Sequence, residues 1–381
     1  MADKKSTLEP KIRFKGYTDA WEQRKLGEVL KVNSGKDYKH LNTGNIPVYG
    51  TGGYMLSVDE SLSEVDAIGI GRKGTIDKPQ LLSAPFWTVD TLFFMTPLQS
   101  NVLLFLYALS QNIEWAKMDE STGVPSLSKM NIENVDVNIS EPDEQAAIGT
   151  FFRTLDDIIA LHQRKLDGLK ELKQGYFQQM FPQAGECVPR VRFDGFDAVW
   201  EMRKISEFVE EYIEKTVVEN QYPVLTSSQQ RGIIFQEEYF ANRQVTTDNN
   251  IGYFVLPKGY FTYRSRSDNG VFKFNRNDLI ENGIISYFYP VFKIINGDSD
   301  FFLQIFNCSI IEQVAIESEG TGQRVLSFKK FKNISFIAPT YYEQKSIGYF
   351  FRSLDEQINI QTQKIDHLKR LKSAYLQKMF V

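Results

Sequence analysis

The sequence feature that most constrains the fold is a long internal repeat. The segment from Glu144 to Phe181 (EQAAIGTFFRTLDDIIALHQRKLDGLKELKQGYFQQMF) returns without a gap as Glu343 to Phe380 (EQKSIGYFFRSLDEQINIQTQKIDHLKRLKSAYLQKMF). About twenty of the thirty-eight aligned positions are identical, which is far more than two helices sharing an apolar pattern would show. The repeat therefore indicates a duplicated unit.

A second repeated segment opens each half of the chain. Residues 13–25 (RFKGYTDAWEQRK) return as residues 192–204 (RFDGFDAVWEMRK). The stretches between the opening segment and the long repeat differ in length and in most residues. Each half thus has a constant frame and a divergent interior.

These boundaries predict six segments. They are a flexible N-terminal tail (1–10), a first domain (11–142), a central long helix (143–181), a linker (182–189), a second domain (190–341) and a C-terminal long helix (342–381). Each domain reads as short strand-like runs separated by turns and followed by a helix, near residues 101–118 and 300–316. We expect an α+β fold of two tandem, loop-rich α/β domains joined by the two long helices.

Residues at alternating spacings of four and three form one stripe on each long helix. The stripe residues are Leu155, Ile159, His162, Leu166, Leu169, Lys173, Tyr176 and Met180 in the first copy, and Leu354, Ile358, Gln361, Ile365, Leu368, Lys372, Tyr375 and Met379 in the second. We predict that the helices pair as an antiparallel coiled coil with pseudo-two-fold symmetry. The alternative, in which each helix packs only on its own domain, stays open at this level. Capping boxes are expected at Ser140 with Asp143 and at Thr340 with Glu343.

Composition narrows the functional classes. A formal net charge of −4 and a pI near 5.7 argue against binding nucleic acid by bulk attraction, so any such binding is local or shared. Polar residues open the chain and its apolar runs are too short to cross a bilayer, which favours a cytoplasmic protein. The two cysteines, Cys187 and Cys308, predict neither a disulfide framework nor a metal site.

Catalytic patterns find little support. Gly69 to Gly74 (GIGRKG) fits the spacing of a dinucleotide fingerprint, but the turn-like TIDKP that follows cannot supply the required helix. Metal-ligand spacings and a nucleophile elbow are absent from the sequence. We expect no catalytic residue and no bound metal in this chain.

Loops rich in Gly, Ser, Thr, Gln, Tyr and Arg carry the chemistry that phosphate and base-edge recognition require. For each of them an ordinary surface loop is the alternative, and only their clustering favours a binding role. The candidate DNA-binding residues are Thr51, Tyr54, Gly71, Arg72, Lys73, Thr75, Thr226, Ser227, Ser228, Gln229, Gln230, Arg231, Tyr263, Arg264, Ser265 and Arg266.

Taken together, the chain resembles the specificity subunit of type I restriction-modification systems over essentially its whole length. The resemblance rests on the paired opening segments and on the paired helices that start with E-Q-x-x-I and contain F-F-R-x-L-D. It implies two target-recognition domains that bind double-stranded DNA, and a chain that is not itself catalytic.

The same resemblance implies the partners. Two modification subunits would methylate adenine, and two restriction subunits would add ATP-dependent cleavage, so S-adenosylmethionine, ATP and magnesium belong to those partners. The helix stripes would serve helix pairing and subunit docking. Two other readings remain: a tandem-repeat scaffold that never touches DNA, and a stand-alone enzyme.

The length of the helices suggests a ruler. Residues 155–181 would extend about 40 Å at 1.5 Å per residue, which compares with roughly 34–36 Å for one turn of B-DNA. We therefore expect the two domains to contact DNA about one turn apart, at two half-sites that differ in sequence.

Overall fold

The computed structural model describes residues 9–183, 185–240 and 249–381. Most of the expected N-terminal tail, residues 1–8, lies outside the described residues, as does one residue of the expected linker. The chain divides into two compact units. The first runs from the start of the described chain to Lys165 and adds Gln361–Val381, and the second is Leu166–Ile360. Each unit thus holds one interior domain and a part of both long helices.

The first unit places strands and short helices before its share of the long helices. Its strands are β1 (Glu22–Lys25), β2 (Leu30–Ser34), β3 (Thr43–Gly50), β4 (Gly53–Val58), β5 (Ala67–Gly71), β6 (Gln80–Leu82), β7 (Trp87–Thr88), β8 (Leu92–Pro97) and β9 (Asp136–Ile139). Its helices are α1 (Leu26–Val29), α2 (Leu103–Asn112), a 3₁₀ turn (Trp115–Met118), α3 (Lys129–Glu133) and the start of α4 (Pro142–Met180).

Two sheets make up the interior of the first unit. One has the order β2-β8-β5-β6 and the other the order β4-β3-β7. The buried faces of β5 and β8 pack with Trp21, Phe105 and Trp115 in one core, while Phe86, Trp87 and Phe94 contribute to a second core. Strands rich in buried apolar residues thus form both sheets of the first domain.

The second unit repeats the plan with shorter strands. Its strands are β10 (Glu201–Lys204), β11 (Val209–Glu211), β12 (Leu225–Ser228), β13 (Gly232–Phe235), β14 (Phe254–Pro257), β15 (Phe261–Tyr263), β16 (Arg266–Ser267), β17 (Phe274–Arg276), β18 (Asn282–Ile285), β19 (Val291–Ile294), β20 (Arg324–Val325) and β21 (Ser335–Ala338). Its helices are α5 (Gln236–Tyr239), α6 (Ser299–Gln304), a π-helical turn (Ile305–Ser309), α7 (Ile311–Glu317), α8 (Phe328–Asn333) and α9 (Tyr341–Met379).

A four-stranded sheet of order β11-β19-β15-β17 lies at the centre of this unit. Its core is dominated by phenylalanine, with Phe261, Phe274, Phe292 and Phe306 all fully buried. The predicted α+β class with an irregular, loop-rich sheet is therefore confirmed in both units.

The repeated frame of sequence is also a repeated frame of structure. The opening strand of each unit pairs antiparallel with the strand that precedes its long helix, β1 with β9 and β10 with β21. At the helix start, the Glu144 carboxylate accepts two hydrogen bonds from the guanidinium of Arg13, at 2.7 and 2.8 Å. The Glu343 carboxylate accepts the equivalent pair from Arg192, at 2.8 and 2.7 Å. The matched residues thus close each domain onto its own helix.

The long helices run antiparallel within each unit. In the first unit the Lys372 ammonium pairs with the Asp156 carboxylate, and the Phe151 and Tyr375 rings lie 5.1 Å apart. In the second unit Lys173 pairs with Asp355 at 2.6 Å. Since each lysine and each aspartate is the repeat counterpart of the other, the sequence repeat encodes both pairs. The expected antiparallel pairing is confirmed, and the alternative of helices packed only on their own domains is wrong.

A polar layer occupies the predicted position of the first unit's helix pair. His162 Nδ1 lies 2.9 Å from the Gln361 side-chain oxygen. Gln361 is buried. The remaining stripe residues are buried or half-buried, with Met180, Met379 and Ile365 least exposed. The stripe therefore faces protein, as its spacing predicts.

The capping box expected at Ser140 with Asp143 is wrong. Helix α4 begins at Pro142, a residue whose missing N–H suits the first helical turn, and the buried Ser140 hydroxyl makes no hydrogen bond in the part of the chain that the structure describes. In the second copy the Glu343 carboxylate is occupied by Arg192. Helix α9 begins at Tyr341, directly after Thr340, and the box expected at Thr340 with Glu343 stays a prediction.

Candidate DNA interface

One candidate site is a cleft in the second unit with a volume of about 820 Å³. Its walls combine predicted residues with residues that the sequence did not single out. The predicted ones are Thr226, Ser227, Ser228, Gln229, Gln230, Arg231, Arg264 and Arg266, and the others include Tyr239, Phe240, Asp268, Lys273, Phe288, Tyr289 and Gln323. The structure therefore brings together two loops that lie more than thirty residues apart in the chain.

One wall is the hairpin formed by β12 and β13. The Ser228 hydroxyl accepts hydrogen bonds from the backbone N–H groups of Gln230 and Arg231, at 3.3 and 3.2 Å, and closes the turn. Asn275 donates its amide N–H groups to the Ser227 hydroxyl and the Ser228 carbonyl, which ties the hairpin to β17. Gln229, Gln230 and Arg231 are therefore exposed at the tip of an anchored turn.

The opposite wall carries the two other predicted arginines. Both Arg264 and Arg266 are exposed, and the Arg266 guanidinium lies 5.0 Å from the centre of the Phe288 ring. Burial raises the pKa of Tyr289, while the nearby charge of Arg264 and a hydrogen bond with Thr226 oppose that rise. Thr226, Tyr289 and Arg264 thus meet in the same part of the cleft.

Tyr263 does not belong to the cleft surface. Its side chain is fully buried and its hydroxyl donates to the Leu326 carbonyl over 3.1 Å. The expected DNA contact of Tyr263 is thus not available in this structure, because its position in β15 directs it into the phenylalanine core.

The charge of this cleft is positive on balance. Arg231, Arg264 and Arg266 form no ion pair with any residue that the structure describes. Lys273 adds a fourth cation, and its burial lowers the pKa of its ammonium group. The Asp268 carboxylate accepts a hydrogen bond from Gln323 over 2.8 Å. Such a cleft suits an anionic ligand with base edges or phosphates.

The first unit has a separate cleft of about 650 Å³. It includes the predicted Thr51 and Tyr54, which lie at the turn between β3 and β4, and Tyr54 is 63% exposed. The Gln80 amide donates to the carbonyls of Gly50 and Thr51, both at 3.1 Å, and fixes the turn. Asp37, Lys39 and Asp90 also line this cleft, which makes its chemistry different from that of the second unit.

The predicted loop from Gly71 to Thr75 adjoins this turn. Backbone N–H groups of Arg72 and Lys73 donate to the Thr91 carbonyl, at 2.8 and 3.3 Å, and leave both side chains exposed. A side chain at Gly71 would meet the Thr75 carbonyl oxygen at 2.0 Å, so this glycine is required by the close approach of the loop to β5. The structure thus assigns Gly71 a packing role. No helix follows the GIGRKG segment, and the rejection of a dinucleotide fingerprint is confirmed.

Other kinds of site receive no support within the described ranges. Among those residues no group of three or more His, Cys, Asp or Glu side chains could hold a metal ion. None of the described helices is long and apolar enough to cross a membrane.

The repeated frame and the two unlike clefts define a tandem protein with two recognition modules. The family model of the type I restriction modification DNA specificity domain matches the chain twice, over residues 18–171 and 199–370. The chain therefore belongs to this family. It is a DNA sequence-specificity subunit of a type I restriction-modification system, a non-catalytic component of the complex.

A solved structure at low sequence identity shares the fold. The S subunit of a type I restriction-modification system from M. genitalium superposes with a TM-score of 0.70 at 14% identity, over 98% of this chain and 99% of that chain. The HsdS subunit from Thermoanaerobacter tengcongensis matches with a TM-score of 0.40 at 14% identity, over 94% of this chain and 96% of that one. A search of curated proteins returned no significant match.

Proposed function

We propose that each unit reads one half of an asymmetric, bipartite DNA target. The observation that carries this proposal is the convergence of the hairpin tip and the two arginines on one cationic cleft in the second unit. The first unit offers the exposed Tyr54 beside two aspartates, a different set of donors and acceptors. Because side chains of different chemistry prefer different base edges, the two half-sites should differ in sequence.

The paired helices supply the constant part of this function. They would set the distance between the half-sites and dock two modification subunits. Within each unit, large apolar side chains remain exposed on the helices: Leu161 is 57% exposed in the first unit, and Tyr342 and Tyr349 are 75% and 65% exposed in the second. Exposed apolar side chains at these repeated elements suit a protein partner.

The modification subunits would methylate adenine with S-adenosylmethionine, and two restriction subunits would add cleavage that depends on ATP and magnesium. Each of these cofactors would then be held by a partner subunit. Since the target is the DNA of the cell, the complex would act in the cytoplasm. The acidic balance of this chain fits that arrangement, because partner subunits can complete a basic surface around the duplex.

Methylation sequencing tests the proposal directly. The full chain is expressed with its cognate modification subunits, and long-read sequencing maps methylated adenines. A split motif with two unlike halves is expected, and methylation of no split sequence would reject the proposal. The double variant Arg264→Glu with Arg266→Glu should assemble normally but lose methylation, because reversed charges repel the duplex.

The alternative of a protein scaffold makes the opposite prediction for that variant. A scaffold that holds only protein clients should keep full assembly, and methylation, where present, should be unaffected by charge at the cleft. A matched control reverses charge away from the cleft at Lys258, an exposed residue paired with Glu281 in the same unit. Equal effects of the control and the cleft variant would show that overall charge, and not the cleft, matters.

A further inference from the structure

The arginine at position 266 lies on an aromatic platform at the edge of the second unit's cleft. Its guanidinium carbon is 5.0 Å from the centre of the Phe288 ring, and Phe288 is 42% exposed. An arginine stacked on a ring keeps its planar fork of N–H donors in a limited set of orientations. The ring therefore limits the orientations in which Arg266 presents its donors.

This platform is held by Ser265. The backbone N–H and the hydroxyl of Ser265 both donate to the Phe288 carbonyl, at 3.3 and 2.7 Å. The Ser265 carbonyl accepts from the Leu326 backbone N–H over 2.9 Å. Ser265, which directly precedes Arg266, thus ties the backbone of Phe288 and the backbone of Leu326 to the start of the Arg266 segment. Such preorganisation lowers the cost of ordering the side chain when a ligand binds.

The segment that follows Arg266 is fixed by its own hydrogen bonds. The Ser267 hydroxyl lies 2.8 Å from both the Asn269 side-chain oxygen and the Val271 carbonyl, and donates its one proton to either. The acidic residue nearest along the chain, Asp268, is engaged by Gln323. Within the described ranges, Arg266 has no carboxylate partner. Among the described residues, no carboxylate therefore competes for the Arg266 donors.

We propose that Arg266 recognises a guanine in the half-site read by the second unit, with Phe288 as its positioning residue. This inference rests on the proposed DNA-reading function of the cleft. Guanine presents two acceptors, O6 and N7, side by side on its major-groove edge, and the arginine fork matches them with two parallel hydrogen bonds. A phosphate can also accept two hydrogen bonds from an arginine fork, but only a base edge makes the contact depend on sequence. The amides of Gln229 and Gln230 lie in the same cleft and suit neighbouring base edges.

The experiment compares variants of the full chain in complex with its cognate modification subunits. Wild-type methylation first defines the split motif, and a library then randomises each base pair of both half-sites. Long-read sequencing reports the methylated fraction for every sequence. The wild type should require a G·C pair at one position in one half-site.

Arg266→Lys keeps the charge but removes the fork, so preference for guanine should fall by roughly 5- to 150-fold at that position alone. Arg266→Gln should move the preference at the same position towards adenine, since a glutamine amide matches the adenine edge. Phe288→Leu, which leaves Arg266 in place, should relax the same position without altering the other half-site. Arg190→Lys, an exposed arginine of the same unit outside the cleft, should leave the motif unchanged.

A uniform loss of methylation over all sequences in the Arg266 variants, with base preferences unchanged, would overturn the proposal in favour of a phosphate contact. A change of preference in Arg266→Lys with none in Phe288→Leu would overturn the positioning role of Phe288 alone. If the wild-type complex methylates no split sequence, the proposed function fails together with this inference. If a split motif exists but does not change in the Arg266 variants, only this inference fails.

Discussion

Two equivalent tryptophans allow one buried hydrogen bond to be measured against a control within the same chain. Trp21 and Trp200 hold the same position in the repeated opening segments, and each is 2% exposed. The Trp21 indole N–H donates to the buried Glu144 carboxylate over 3.1 Å. The Trp200 indole N–H is buried without a hydrogen-bond partner in the part of the chain that the structure describes. We predict that replacement by phenylalanine destabilises the first unit more than the second.

The magnitude follows from what each substitution removes. Trp21→Phe breaks a hydrogen bond to a charged group, which contributes about 1.5–3 kcal/mol. Glu144 keeps its two hydrogen bonds from Arg13. The loss of stability should therefore stay below the approximately 3–5 kcal/mol that is lost when a buried charge has no partner at all. Trp200→Phe removes an N–H donor that has no acceptor among the described residues. Both substitutions reduce the volume of the ring by the same amount. The shared loss cancels, which leaves a difference of about 1.5–3 kcal/mol between the units.

Hydrogen exchange detected by mass spectrometry can report both units in one experiment. Peptides from the β1–β9 pair and from the β10–β21 pair give the free energy of opening of each unit, with and without low urea. Trp21→Phe should accelerate exchange in the first pair by roughly 10- to 150-fold more than Trp200→Phe does in the second. Equal acceleration in the two variants, or a larger effect of Trp200→Phe, would refute the assignment of the hydrogen bond.

The remaining predictions concern the helices and the core. Insertion of four residues after Lys165, about 6 Å of helix, should lengthen the tolerated gap between half-sites by one or two base pairs in methylation sequencing, and an unchanged gap would contradict the ruler. His162→Leu should lower the free energy of unfolding by about 1–3 kcal/mol because Gln361 loses its partner. The double variant His162→Leu with Gln361→Leu should keep its fold but lose correct helix pairing or subunit docking. Normal subunit stoichiometry and activity of the double variant would contradict this role in pairing or docking. Burial raises the pKa of Tyr263 above its usual value of 10, so the unfolded chain releases this proton first and the free energy of unfolding of the second unit falls as pH rises above 10. Tyr263→Phe should reduce that dependence in alkaline unfolding curves without abolishing it, because Tyr212, Tyr253 and Tyr289 of the same unit also have raised pKa values. An undiminished dependence would exclude Tyr263 as a contributor.

The repeat made the frame of this fold predictable from sequence. Spacings of three and four residues located the stripe, and the lysines and polar residues within it proved to be paired across the helices. The positions of these residues on the stripe could be anticipated because helical periodicity is a local property, whereas the aspartate partners of the lysines were not predicted. The exact partners of Glu144 and Glu343 could not be anticipated, since both arginines lie more than a hundred residues away in the chain.

The residues of the candidate clefts were likewise predictable from sequence only in part. The hairpin tip from Gln229 to Arg231 could be identified because turn residues and exposed polar side chains leave a local signal. Phe288 and Gln323 were missed, because each reaches the cleft through sheet pairing and loop contacts that no short pattern encodes. Tyr263 was misplaced for a related reason. It ends β15, a strand buried at all three positions, while its neighbours Arg264 and Arg266 gave it the appearance of a surface residue.

The first unit is built from two separate segments of the chain, and this affects the order of folding during synthesis. Phe380 packs against Trp21, Phe105 and Phe152, with ring centres 6.0, 5.4 and 5.8 Å apart, and the Lys378 carbonyl accepts a hydrogen bond from the Ile12 N–H. The second unit, in contrast, is one continuous stretch of chain. Because contacts between distant residues form only after both are made, the second unit can complete its core while the first still lacks Phe380. The domain that leaves the ribosome first is therefore the one that is finished last.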